Sequence, residues 1–199
     1  MTQFSLFGAA AAEPTLDDLA GILLAGGHWV VRQRGSANLS VVVEGQWRVD
    51  ALREEFLARG LGFGTDGYYG VPNAVELMAG RRSVQTGFAA TLAAEARRWI
   101  RGANEVPPRD LVLTPSGLRL WAVASGHRDE SGYLLGTAHA DDPMHLAAGA
   151  QLSRLGVAGV SITRGGPGWR VTSLKRIRRL AELVGAAPSG AEAEWPSPS

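Results

Sequence analysis

The run Leu19-Ala20-Gly21-Ile22-Leu23-Leu24-Ala25-Gly26-Gly27-His28 constrains this chain most, because no polar side chain interrupts it before His28. It predicts a helix over 15–26. Pro14 and Thr15 supply a start, Asp17 and Asp18 place negative charge where a helix N-terminus favours it, and Gly26-Gly27 supplies the stop. Leu16, Leu19, Ala20, Ile22, Leu23 and Leu24 leave no wet face, so the helix must be covered on most sides. Ala20, Gly21 and Ala25 are small enough for a second backbone to come close. A partner is legible downstream, where Thr114-Pro115 opens, Leu118, Leu120, Trp121, Ala122 and Val123 fill, and Ala124-Ser125-Gly126-His127 closes.

Each of these helices is followed by the same succession of patterns. His28 to Arg34 alternates, with His28, Val30, Arg32 and Arg34 on one face; a turn at 35–38 then leads into the β-branched run Leu39 to Val43. Residues 47–60 carry Val49, Leu52, Phe56 and Leu57 at helical spacing, with Arg48, Asp50, Arg53, Glu54 and Glu55 outside and Gly60 as the stop. Residues 61–69 and 74–87 form a glycine-punctuated second hairpin carrying Arg81, Arg82 and Gln85, and 88–102 returns to helix. Beyond Pro107-Pro108 the order repeats. A hairpin spans 127–138, Asp142 caps a helix with Pro143 at its first position and Gly156 as its stop, a hairpin turns over 164–168, and Ser173 caps a last helix burying Leu174, Ile177, Leu180, Ala181 and Val184. The expected fold class is α+β, as two helix-hairpin-helix-hairpin-helix repeats over 14–103 and 114–187. A linker over 104–113, a flexible arm over 1–13 and a disordered tail over 188–199 complete the chain.

The first apolar run resembles the LAGLIDADG motif of homing endonucleases, and the element order that follows each copy is the order of that fold. Two positions depart from the motif. Leu24 and Gly26 stand where it has its aspartates, the later being the family's metal-binding catalytic carboxylate, and Ser125 is the counterpart in the second copy. An alternative register would put the second motif at 134–142 with Asp141 at the catalytic position, but it consumes a strand and leaves one hairpin in the second half. The resemblance implies two motif helices side by side at a pseudo-twofold axis, with two sheets forming a saddle over duplex DNA. It makes Arg32, Arg34, Arg81, Arg82, Arg128, Arg164 and Arg170 the candidate phosphate contacts. It also implies no catalytic residue, no metal and no cofactor, because Gly26 and Ser125 cannot hold a divalent ion. A metal-dependent endonuclease with a diverged site, and a purely structural module, are the alternatives.

Within the arm, Gln3-Phe4-Ser5-Leu6-Phe7 resembles the peptide by which bacterial replication and repair proteins dock on the β sliding clamp. An unstructured segment can seat Leu6 and Phe7 in an apolar pocket while the Gln3 amide bonds the rim and Ser5 fills the third motif position. The alternative is that Phe4, Leu6 and Phe7 fold back on the core.

Charge agrees with a polyanionic partner more by placement than by amount. The formal net charge is +1, yet 143–181 contains no acid and holds Arg154, Arg164, Arg170, Lys175, Arg176, Arg178 and Arg179. The chain of 199 residues has no cysteine and no apolar run of membrane-spanning length, so a cytoplasmic protein not associated with a membrane is expected, and the family resemblance implies a monomeric pseudo-dimer associated with the nucleoid. His28 and His127 follow the motif helices and could serve a base or a transition metal, although strand-start histidines are usually solvated. His139 and His145 with Asp141 and Asp142 suggest a helix cap. Gly165-Gly166-Pro167-Gly168 lacks the Lys-Ser/Thr of a phosphate loop.

Overall fold

A computed structural model describes residues 9, 12–33, 35–65, 81–140, 142–163 and 166–197. The apolar run begins as a 3-10 turn, Leu16–Leu19, and continues as α1, Ala20–Leu24. It is met by α4, Pro115–Ser125, whose Thr114 hydroxyl caps it by accepting from the Gly117 amide at 2.8 Å. Gly21 lies directly on Gly117: a Cβ built there would overlap the Gly117 carbonyl oxygen and stand 3.0 Å from the Trp121 amide nitrogen. Leu19, Ile22, Leu23 and Leu24 are at most 2% exposed, as are Leu118, Leu120, Trp121, Ala122 and Val123. These two helices are the centre of one continuous apolar core.

Asp18, expected only to favour the helix dipole, is buried and ties the halves together. Its carboxylate accepts from the Thr15 amide at 2.9 Å, the Arg59 guanidinium at 2.8 Å and, across the centre, the Thr114 hydroxyl at 2.6 Å. Arg59 also pairs with Glu55, and Glu55 with Arg119 of α4, so one charge network fastens the N-terminal ends of both central helices to the helix that carries Glu55 and Arg59.

Around that centre the order is β1 (His28–Arg32), β2 (Ser36–Glu44), α2 (Gln46–Ala58), β3 (Phe63–Thr65), β4 (Arg81–Thr86) and α3 (Ala90–Trp99), then the short pair β5 (Ile100–Arg101) and β6 (Asn104–Glu105). After α4 come β7 (Gly126–Asp129), β8 (Gly132–Gly136), α5 (Pro143–Arg154), β9 (Val160–Ile162), β10 (Gly168–Val171) and α6 (Leu174–Val184). Two four-stranded antiparallel sheets result, in orders β1-β2-β4-β3 and β7-β8-β10-β9. Both sheets have the same arrangement of consecutive strands.

Several expectations are corrected. The first hairpin turns at Gly35, with φ +75°, and Arg32 pairs with Ser36, so β2 begins three residues before Leu39. Arg48 is buried, not outward, while Leu57 and Leu174 are 56% and 60% exposed. The Ser173 side chain makes no capping bond, whereas the Asp142 carboxylate accepts from the Met144 amide at 2.9 Å. The linker is fastened to the second half, because the Gln151 side-chain amide accepts from the Leu113 backbone N–H and donates to the Leu111 carbonyl, both at 3.0 Å. Nor is the tail disordered over its described part. Ala191 and Trp195 are buried, and Glu194 accepts from Trp47 Nε1 at 3.1 Å and from Arg48 at 2.6 Å. Within the arm, Ala9 is buried and its carbonyl accepts from the Ser116 hydroxyl at 3.4 Å.

Candidate nucleic-acid interface

Each sheet has one face on the core and one turned away, and strand parity decides which side chain goes where. In the first sheet Ala37, Leu39, Val41, Val43 and Val84 face the core. Their alternates form the outer face: His28, Val30 and Arg32 from β1, Ser36, Asn38, Ser40, Val42 and Glu44 from β2, and Arg81, Ser83 and Gln85 from β4. In the second sheet Tyr133, Leu135 and Val171 face the core, and His127, Asp129, Leu134 and Arg170 lie outside.

The candidate arginines therefore divide. Arg32 and Arg81 are on the outer face of the first sheet, and the Arg32 guanidinium lies 3.6 Å above the Phe88 ring. Arg82, one residue from Arg81, pairs with Val43 and projects from the other face. Arg128 pairs with Tyr133 and lies on the α6 side, beside Leu174 and Ile177. Arg170 is on the outer face but paired with Asp129 at 2.6 Å. Burial raises the Asp129 carboxyl, but the Ser131 amide and the Arg170 guanidinium outweigh it and hold the group below its ordinary value. Arg34 and Arg164 lie outside the described residues, as do Gln3, Ser5, Leu6 and Phe7 and the alternative carboxylate Asp141.

The basic cluster of the acid-free span is split as well. Lys175, Arg176, Arg178 and Arg179 are all on α6, behind the second sheet.

At the C-terminal ends of the central helices neither motif-final position offers a carboxylate. Gly26 adopts φ +97°, and a Cβ built on it would meet Ala138 Cβ at 3.3 Å. The Ser125 hydroxyl donates to the Gly136 carbonyl at 2.9 Å, an acceptor shared with Trp121 Nε1 at 2.7 Å. Beneath Ser125 a cavity of about 350 Å³ is bounded by Val42, Glu44, Arg81, His127, Gly136 and Pro167, among others. It opens where the two outer faces adjoin.

Sequence reasoning missed the residue that holds this end together. Arg48 donates to the carbonyls of Ala122 at 3.3 Å, Val123 at 2.7 Å and Gly126 at 2.6 Å, and so ties α2 to the end of α4 and the start of β7. Burial lowers its pKa from the ordinary arginine value, against the charge of Glu194. Little that is local marks Arg48 as buried, since its hydrogen-bond partners are 74 to 146 residues away in sequence and only the Trp47 ring is near in the chain. His145, read as part of a cap, is instead enclosed: Nδ1 meets the Thr137 hydroxyl at 2.9 Å, Nε2 meets Ser161 at 2.8 Å, and the ring stacks on Trp169. Among the described residues no three His, Asp or Glu side chains are grouped so as to hold a metal ion. No described helix is long and apolar enough to cross a membrane.

Among solved structures, the chain is similar to that of the homing endonuclease I-WcaI bound to its DNA recognition sequence. The TM-score is 0.58 at 13% identity, covering 97% of this chain and 88% of that one. The fold is homing-endonuclease-like. No protein-family model matches the sequence, and no match was found among curated proteins. In this homing-endonuclease-like fold, α1 and α4 are the central helix pair, and the two outer faces adjoin at the cavity beside Ser125.

Proposed function

We propose that the protein is a non-catalytic duplex-DNA-binding protein that uses its two sheets as a LAGLIDADG-like saddle and docks on the bacterial sliding clamp as a replication or repair accessory. The observation that carries the non-catalytic part is the state of the two motif-final positions. Gly26 has no side chain and abuts Ala138, and the Ser125 hydroxyl is committed to Gly136. Arg32 and Arg81 on the first outer face support a phosphate-contacting role. The clamp partner rests on the peptide Gln3 to Phe7. Its tether is favourably placed, because Ala9 is anchored at Ser116, in the first turn of α4, and the outer faces adjoin at the other end of that helix. Eleven residues separate the two ends by about 16 Å, so one molecule can hold clamp and duplex together. A monomer associated with the nucleoid in the cytoplasm is part of this proposal.

Glu44 favours a second reading, a nuclease with a diverged site, because its carboxylate borders the cavity beneath Ser125 together with Arg81 and His127. Supercoiled plasmid incubated with the protein and Mg²⁺ or Mn²⁺ separates the two. Intact plasmid that is retained by the protein at low salt is the expected result; nicking that is lost on chelation and in Glu44→Gln selects the nuclease. For the clamp, the expected dissociation constant is micromolar, about −8 kcal/mol. Gln3→Ala, or Leu6→Ala with Phe7→Ala, should abolish it without changing the melting temperature. A melting temperature lowered by several degrees, with no clamp binding by the parent protein, makes the arm part of the core instead.

A further inference from the structure

We infer that sequence recognition is confined to the half of the DNA site under the first sheet, while the second sheet holds the duplex without reading it. This rests on the proposed DNA-binding role and goes beyond it by assigning unequal tasks to the two sheets. Reading base edges in a major groove requires donors and acceptors on side chains that project from the strand face in fixed orientation. In the first sheet Gln85 is such a side chain, held in place by buried neighbours. Asn38 Nδ2 donates to Gln85 Oε1 at 3.0 Å, Gln85 Nε2 donates to Ser83 Oγ at 3.4 Å, and Ser40 and Ser83 share a hydrogen bond at 3.2 Å. These bonds run across β2 and β4 as a ladder on the outer face, flanked by His28, Arg32 and Arg81.

The ladder also orients its outermost amide. Asn38 is fully buried and Gln85 half-buried, so Asn38 and Ser83 hold the Gln85 amide, which keeps a second N–H and a second lone pair. A fixed glutamine amide matches the acceptor and donor that adenine displays in the major groove.

Among the described residues the second sheet has no counterpart of this ladder on its strands. Its outer face carries Leu134, Val160 and Ile162, with Gly136 and Gly168 between them, and its polar side chains are His127, which borders the central cavity, and the Asp129–Arg170 pair. Its one charged pair, Asp129 with Arg170, is closed on itself at 2.6 Å. Gly168 cannot be exchanged for a reader within this packing, since a Cβ there would stand 2.6 Å from the Leu135 carbonyl oxygen. Away from His127 at the centre, such a face can lie against the sugar-phosphate wall or a thymine methyl, but it cannot distinguish the four base pairs.

The test is selection from a random duplex library with the full chain, combined with hydroxyl-radical footprinting of the selected duplex. The expected result is protection on both halves of the footprint with base preferences in only one. Gln85→Ala should erase preference at one position of that half, weakening binding to the selected duplex about tenfold. Val160→Ser should leave the selected sequence unchanged. Preferences in both halves, no enriched sequence despite salt-sensitive retention, or a Gln85→Ala variant that selects the parental sequence would each overturn the inference. Failure to retain any duplex at low salt would overturn the DNA-binding proposal itself, and this inference with it.

Discussion

Gly21 and Gly117 meet backbone to backbone where the central helices cross, and neither position has room for a methyl group. A Cβ on Gly21 overlaps the Gly117 carbonyl, and one on Gly117 would come within 2.9 Å of Leu113 Cδ1 and 3.2 Å of the Asp18 carbonyl oxygen. The obstacle at Gly21 is main chain, which cannot turn aside as a side chain can. Gly21→Ala is therefore expected to cost about 3 kcal/mol, the upper end of ordinary overpacking, measured as a lowered midpoint in denaturant at unchanged slope. A loss below half a kcal/mol would mean that the helices are not so close.

The C-terminal tail contributes to stability through Trp195, which is 4% exposed, donates from Nε1 to the Gly185 carbonyl at 2.9 Å and lies against the Arg119 guanidinium. Trp195→Ala should cost about 3–5 kcal/mol. Removing residues 188–199 should lower the melting temperature at least as much, whereas a loose tail would be dispensable.

Arg48 and Glu194 are paired, yet their replacements should differ. Arg48 is enclosed, so Arg48→Ala removes the charged donor to the Val123 and Gly126 carbonyls, leaves Glu194 unpaired and is expected to cost about 3–5 kcal/mol. The Glu194 side chain is 44% exposed, and Glu194→Gln retains an acceptor for Trp47, so its cost should stay below about 1 kcal/mol. Equal losses in a thermal melt would place the energy in the ion pair instead of the helix end.

Glu105 supplies a pH dependence with a definite sign. Burial raises its pKa, against the Trp29 amide that donates to it at 2.6 Å and the charge of His28, while Asp142 adds to the rise. The folded chain therefore holds this proton more tightly than the unfolded one, and the contribution is full below the ordinary glutamate value of about 4.3 and lost as pH rises through the folded value. Glu105→Gln keeps the acceptor for Trp29 and removes the charge. The variant should melt higher than the parent at pH 7, with the gap closing towards pH 4.

Duplex affinity should report strand parity. Arg32→Ala and Arg81→Ala should each lower the slope of log affinity against log salt by about one, and Arg82→Ala and Arg128→Ala should leave it unchanged. Equal effects from Arg81 and Arg82 in a salt titration would show that the outer face is not the contact surface.

What the sequence determined by itself is what depends on neighbours a few residues apart. The apolar run of α1, the Asp142 cap with Pro143 at the helix start and the stop at Gly156 are local signals, and local backbone preferences are enough to make them legible. The hairpin faces were legible to the same extent, because His28, Val30 and Arg32 share a side by alternation alone. Only the tertiary structure decided which polar groups would be enclosed and which arginines would share a face. Arg48, Asp18 and His145 look like surface residues in their own segments, but each is satisfied by partners on other elements, and burial is a property of all of them together. The same holds for Trp195, whose tail reads as polar until it meets Arg119 and Gly185. Arg81 and Arg82 show the limit most simply: strand alternation sends them to opposite faces, and only pairing with Glu44 and Val43 on β2 fixes which one faces outward.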